Sequence, residues 1–174
     1  AILKAAPNPK YRAAFMVCYG SGLRTDEVVH LEPRHIDSRR MVIRIERGKG
    51  KKDRQVILSA RLLAELRSCW KRYAPKTYLL EGKRPGQPLD PTSIQRAFRI
   101  ACRHAGIRKR VTPRSLRHAF ATHLVESGTS LRVVQALLGH QSLNTTAVYV
   151  HLARTWLSDV KSPLDSLNQE TQAT

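Results

Sequence analysis

Apolar and polar positions recur along this chain with two different periods, and the switches between them mark out its elements. Residues 9–19 are mostly apolar and stop at Gly20-Ser21-Gly22, the pattern of a mostly apolar helix closed by glycines. A short helix follows, with Thr25 read as its N-cap and with Asp26 and Glu27 in the first turn, where carboxylates favour the helix dipole. Pro33 ends it. Residues 41–46 and 54–58 are rich in Val and Ile and flank a glycine- and lysine-rich stretch, which predicts a β-hairpin with a basic tip.

The helical period then returns. Leu62, Leu63, Leu66, Cys69, Trp70 and Tyr73 share one face, opposite Arg61, Glu65, Arg67 and Lys71. Residues 74–88, with their prolines and glycines, read as loop, with 78–81 as a short edge strand. Asp90 as N-cap and Pro91 at the first position open a helix whose stripe is Ile94, Ala97, Phe98, Ala101, Cys102 and Ala105. Residues 115–127 place Leu116, Ala119, Phe120, His123 and Leu124 on one face. His123 therefore reads as a core histidine. Ser130 caps a further helix closed by Gly139, and residues 146–152 form a last short one. The fold class expected is α+β, mainly α-helical, with a β-hairpin or small three-stranded antiparallel sheet. One domain over 1–161 and a polar tail over 162–174 are expected.

With 174 residues, 41% of them hydrophobic, one core can be built. Charge changes the picture more: 31 Lys and Arg against 13 Asp and Glu give +18, spread along the whole length. That balance points to a polyanionic partner, nucleic acid first. Cys18, Cys69 and Cys102 are too few and too scattered for a disulfide framework or a zinc site. No apolar run is long enough to span a bilayer and the start lacks a signal-peptide core, so no membrane partner and a cytoplasmic location are expected.

Three segments stand apart from ordinary helix and turn sequence: GLRTDEVVHL at 22–31, TPRSLRHAFATHL at 112–124 and LLGHQSLNTTAVYVHL at 137–152. Together with the basic hairpin GKGKKDR they resemble the tyrosine recombinase (phage integrase) family, over nearly the whole chain. The resemblance implies an integrase-like catalytic domain that cleaves and rejoins double-stranded DNA through a 3′-phosphotyrosyl intermediate. Integration, excision, resolution and transposition all use that chemistry. It implies no cofactor and no metal, and a homo-oligomer, a tetramer on DNA in the full-length protein. It also implies an amino-terminal DNA-gripping domain ahead of the first residue here.

The chemistry asks for such residues. Displacement at phosphorus spreads negative charge over the non-bridging oxygens, and permanently charged, forked guanidiniums suit them. By resemblance Arg24 and Arg117 take that role, His140 donates to the same phosphate, and Tyr149, nine residues on, is the nucleophile. Lys49 matches the lysine that protonates the leaving 5′ oxygen, with Lys51 and Lys52 as competitors. Glu27 is an acidic support, His118 a second supporting group that hydrogen-bonds near the site. Lys51, Lys52, Arg54, Arg96, Lys109 and Arg110 are expected on DNA. One departure stands out: the family pattern H-x-x-R is here Arg114 to Arg117. An arginine cannot act as a base, so Arg114 is either a third cation at the phosphate or leaves Tyr149 without a proton acceptor. The competing reading is a non-catalytic helix-turn-helix DNA-binding module over residues 116–138.

Overall fold

The computed structural model describes residues 1–46 and 53–152, for residues 151 and 152 the backbone only. At its centre lies α1 (Pro9–Gly20), started by Asn8, whose side chain accepts from the Tyr11 N–H at 3.1 Å. Six consecutive residues, Ala13 to Cys18, are buried, so this helix has no solvent face in its middle. α2 (Thr25–Val29), α3 (Ala60–Tyr73), α4 (Pro91–His104) and α5 (Pro113–Glu126) all pack on it. Phe15 meets Phe98 of α4 edge to face at 5.3 Å between centroids.

The hairpin is part of a three-stranded antiparallel sheet in the order β1 (Ile36–Asp37), β2 (Val42–Ile45), β3 (Arg54–Ile57). Ile43 pairs with Val56, and both point into the core. β1 was not marked by the sequence pattern: a two-residue strand has no measurable period. α6 (Leu131–Leu138) packs on β3, and Gly139 ends it in the left-handed conformation at φ 63. α7 (Asn144–Leu152) follows, starting two residues earlier than its pattern suggested.

α5 connects two apolar clusters. Its Leu116 belongs to the main core with α1 to α4, whereas Phe120 and Ala121 join Val134, Leu138 and Tyr149 in a smaller one. Gly22 sits where these meet, at φ 68 and with so little room that a Cβ would lie 2.5 Å from the Phe120 ring. Gly22→Ala is therefore expected to cost about 2–4 kcal/mol from left-handed strain plus overpacking. Urea unfolding of the variant checks this.

Four expectations are corrected. Trp70 and Tyr73 are 48% and 37% exposed, because the core beneath α3 is closed by Leu62, Leu63, Leu66 and Cys69. Tyr73 instead receives the Lys10 ammonium over its ring at 4.7 Å. His123 is exposed, not core, and its Nδ1 lies 3.0 Å from the Tyr19 hydroxyl. Residues 78–81 form only an isolated bridge, Glu81 to Pro88; the loop is organised by the Glu81 carboxylate, which accepts from the N–H groups of Lys76 and Thr77. Finally, the N-cap of α2 is Arg24, with Thr25 already helical.

Candidate active site

Three stretches that are far apart in sequence, α2, β3 and α5, converge on one largely buried carboxylate. Glu27 sits at the third position of α2, and its Oε2 accepts from the backbone N–H of Arg24 at 2.8 Å, which fixes the start of the helix. Its Oε1 accepts from Arg24 Nη1 at 3.0 Å. Arg54, at the first position of β3, reaches the same carboxylate with a two-pronged pair of 2.9 and 2.7 Å. Arg117 Nη1 stands 3.9 Å from Oε2. Burial alone would raise the Glu27 pKa, but the hydrogen bonds from Arg54 and Arg24 and their charges outweigh it, so the group is held below the usual carboxylate range.

Arg54 thereby departs from its expected place on DNA. Its side chain is 8% exposed, and its Nε donates to the Leu137 carbonyl at 3.0 Å, tying the root of the hairpin to α6. Gly139 allows this passage, since a Cβ there would come within 3.0 Å of Arg54 Cδ.

Arg117, on α5, is locked by backbone. Nη1 donates to the Gly22 carbonyl at 2.7 Å and Nη2 to that of Leu138 at 2.6 Å. Burial, followed by the Arg24 charge, brings its pKa down to about 10, so it still carries its charge at neutral pH. Nη2 also lies 3.3 Å from His140 Nε2. Arginine has no acceptor, so that imidazole nitrogen accepts, and the opposite one, Nδ1, is left to donate to Thr146 Oγ1 at 3.0 Å. Burial and then the charges of Arg117, Arg24 and Arg54 push the His140 pKa down to about 4. It is neutral in the free protein.

Tyr149 enters from α7. Its ring is 3% exposed, lies in the small apolar cluster and stacks on His140 at 12° between planes. Its hydroxyl is 2.8 Å from His118 Nδ1. Burial raises the phenol pKa, partly offset by the charges of Arg117, Arg114 and Arg24. Arg114, Arg117 and His118 stand at i, i+3 and i+4 of α5, which brings them to one side of that helix. A cleft of about 590 Å³ is lined by Arg24, Arg114, Arg117, His118, His140 and Tyr149, together with Thr25, Ser142 and Thr145.

Arg96, Lys109 and Arg110 are exposed and share a second groove with Arg99 and Arg103. The two grooves approach one another at the start of α5, where Thr112 lines one and Arg114 the other. Lys49, Lys51 and Lys52 lie outside the described residues, as does the expected tail over 162–174. Among the described residues no group of three His, Cys, Asp or Glu is placed to hold a metal, and no helix is long and apolar enough to cross a membrane. Cys18, Cys69 and Cys102 are free and buried.

Sequence reasoning missed three connections within this site. The Glu27–Arg54 pair spans 27 residues and the His118–Tyr149 contact 31, and neither has a local signature. Thr146, which orients His140, stood in the quoted motif without an assigned task.

A cleft that gathers arginines, histidines and a tyrosine in this manner is the mark of a class, and comparison with known proteins identifies it. The chain belongs to the phage integrase family, whose model matches residues 1–155. A putative integrase/recombinase of Sinorhizobium fredii is 46% identical over 158 residues, covering 91% of this chain and 51% of the relative. The tyrosine recombinase XerA of Pyrococcus furiosus is 33% identical over 163 residues, covering 91% and 56%. Among solved structures, a XerA recombinase superposes with a TM-score of 0.79 at 30% identity, over 99% of this chain and 62% of the other. A XerH site-specific recombinase bound to its difH substrate, in a pre-cleavage complex, gives 0.73 at 27% identity, over 86% and 47%. The chain thus spans about half of the length of several of these relatives.

Proposed function

We propose that this chain is the catalytic part of a site-specific DNA recombinase that breaks and rejoins strands through a 3′-phosphotyrosyl intermediate. The observation that carries the reading is the Tyr149 hydroxyl facing the same cleft as Arg24, Arg117 and His140. A phosphodiester seated there meets two fixed cations at its non-bridging oxygens, while the phenol oxygen attacks phosphorus. The covalent link retains the energy of the broken bond, so resealing needs neither a nucleotide nor, in this scheme, a metal. His140 joins them by donating through Nε2; that nitrogen accepts from Arg117 in the free protein, so the ring must take up a proton or change tautomer as the phosphate arrives.

Lys49 protonates the leaving 5′ oxygen, and Glu27 aligns the arginines rather than moving protons. Arg96, Lys109 and Arg110, with Lys51 and Lys52, grip the duplex backbone, and Arg114 adds a third cation at the scissile phosphate. The full-length protein works as a tetramer on two DNA sites, in the cytoplasm. A helix-turn-helix binding module would also use α5 and α6, but it has no need of a tyrosine facing an arginine cleft.

The test is covalent capture on nicked suicide duplexes with randomised core sequence. A DNA adduct that mass mapping places on the Tyr149 peptide supports the reading; no adduct across the pool rejects it in favour of a binding module. The same assay bears on Arg114. Arg114→His is expected to bring no gain approaching the roughly 10²-fold that a new general base is worth, because the Tyr149 hydroxyl already has a nitrogen partner at 2.8 Å. Losing a permanent cation should instead weaken binding, measured as a lower salt-sensitive affinity.

A further inference from the structure

Arg114 occupies the place where a proton acceptor for Tyr149 was expected, yet the tyrosine hydroxyl is not without one. One helical turn further along α5, His118 brings Nδ1 to 2.8 Å from Tyr149 Oη. The contact is not a packing accident of two buried rings. His118 is largely open to the cleft, so its other nitrogen can exchange protons with solvent, while Tyr149 is buried except toward that cleft.

Resting on the proposed recombinase function, we propose that His118 is the proton acceptor that activates Tyr149, taking over one turn downstream the task that Arg114 cannot perform. In the cleavage step the Tyr149 O–H proton passes to His118 Nδ1 and the freed electron pair of Oη forms the bond to phosphorus. The P–O5′ bond breaks with its pair on O5′, which takes a proton from Lys49. Resealing runs the same transfers backwards, and the His118 imidazolium returns its proton to the departing phenolate.

The charges around the pair fit a base of this kind. Arg114 and Arg117 on α5, Arg24 at the start of α2 and His140 before α7 line the cleft with His118 and Tyr149. Partial desolvation on its protein side and then the Arg114 and Arg117 charges lower the His118 pKa, which favours an unprotonated acceptor at neutral pH. The same cations favour the phenolate over the phenol. A bound phosphate offsets part of that positive field, which makes His118 a stronger base once DNA is in place. Arg114 is then compatible with catalysis: it supplies charge, and the histidine beside it supplies basicity.

The first test needs no DNA. Nitrogen-15 spectra of the chain near neutral pH should show His118 as the Nε2–H tautomer with an unprotonated Nδ1, and the Nδ1 signal should shift in Tyr149→Phe. A protonated Nδ1 overturns the proposal. The second test uses His118→Asn, which sets an amide oxygen near the Nδ1 position and keeps a hydrogen bond but cannot take a proton. With nicked duplexes, its capture rate at neutral pH should fall about 10²-fold with duplex binding and thermal melting retained. The rate should then climb about tenfold per pH unit as hydroxide substitutes, where the unaltered chain is flat. Capture at the unaltered rate, or a loss with no change in pH profile, overturns it.

A duplex with a bridging 5′ sulfur, whose leaving group needs no proton, should leave the His118→Asn deficit in place. Its disappearance would move His118 to the leaving-group side and defeat the proposal. Failure of the unaltered chain to form any adduct rejects the recombinase reading itself. Adduct formation that is indifferent to His118 rejects this inference alone.

Discussion

Tyr149→Phe is expected to abolish covalent capture of DNA completely while leaving the fold intact. Phenylalanine keeps the ring among Phe120, Ala121, Val134 and Leu138, so packing of α7 on α5 and α6 is preserved. What disappears is one hydroxyl and its contact with His118. A single hydrogen bond of this kind is worth about 0.5–1.5 kcal/mol, and the exposed imidazole can turn to water instead. Stability should therefore change by no more than that, whereas the reaction loses the one candidate nucleophile that the described residues place at the arginine cleft. The other described hydroxyls that line the cleft, those of Thr25, Ser142 and Thr145, have no histidine partner there, and the Thr146 hydroxyl, which accepts from His140, does not line it. Duplex binding should survive, because the cations are untouched. Residual adduct in the phenylalanine form, mapped to another residue, would remove Tyr149 from the role.

The sequence carried the periodic part of the fold well. α3 and α4 have strong apolar stripes, and α4 starts after Asp90 with Pro91 at its first position as the pattern indicates; the N-cap of α3, Ser59, was supplied by the structure. Where the pattern misled, a tertiary cause can be named. Trp70 and Tyr73 lie on the apolar side of α3 by spacing, but the helix extends past the edge of the core, so their rings remain at the surface. His123 likewise falls on the stripe of α5 by spacing, but its ring stays exposed and meets the Tyr19 hydroxyl instead.

The candidate site was legible in its parts and not in its connections. Arg24, Arg117, His140 and Tyr149 could be singled out from motif content, and the fold gathers them at one cleft. Arg54 could not be placed, since its charge suggests DNA as readily as a buried carboxylate. Only the fold, which carries β3 beneath α6 and beside α2, decides for Glu27. The departure at Arg114 shows the same limit. One-dimensional spacing reports a histidine missing at one position, while the helix supplies another four residues on.

Glu27→Ala is expected to be the most destabilising single change at the site. The carboxylate joins Arg24 and Arg54 directly and stands 3.9 Å from Arg117; of these, the Arg54 and Arg117 side chains are only 8% and 6% exposed. Removing it leaves two buried guanidiniums facing each other without a counter-charge, a loss of about 3–5 kcal/mol for breaking one partner from a buried pair. Against the 5–15 kcal/mol or so that holds a typical domain together, that is enough to populate unfolded chains on modest heating. Glu27→Gln, which keeps a shape able to accept from Arg54 but not the charge, should fall between the two. The sign of the pH effect follows from the depressed pKa. Glu27 is ionised in the folded chain below its ordinary value of 4.5, so its contribution is fully present above that value and is lost as pH falls through the lower, folded-state pKa. Urea unfolding should accordingly show the unaltered chain losing stability in acid more steeply than Glu27→Ala, with the two curves converging at low pH. Equal stability of the two at neutral pH would mean that the arginines are held by the Gly22, Leu137 and Leu138 carbonyls alone. If instead the loss is seen, covalent capture should fall with it even where the chain is still folded, because Arg24 and Arg117 are no longer held at the spacing a phosphate requires.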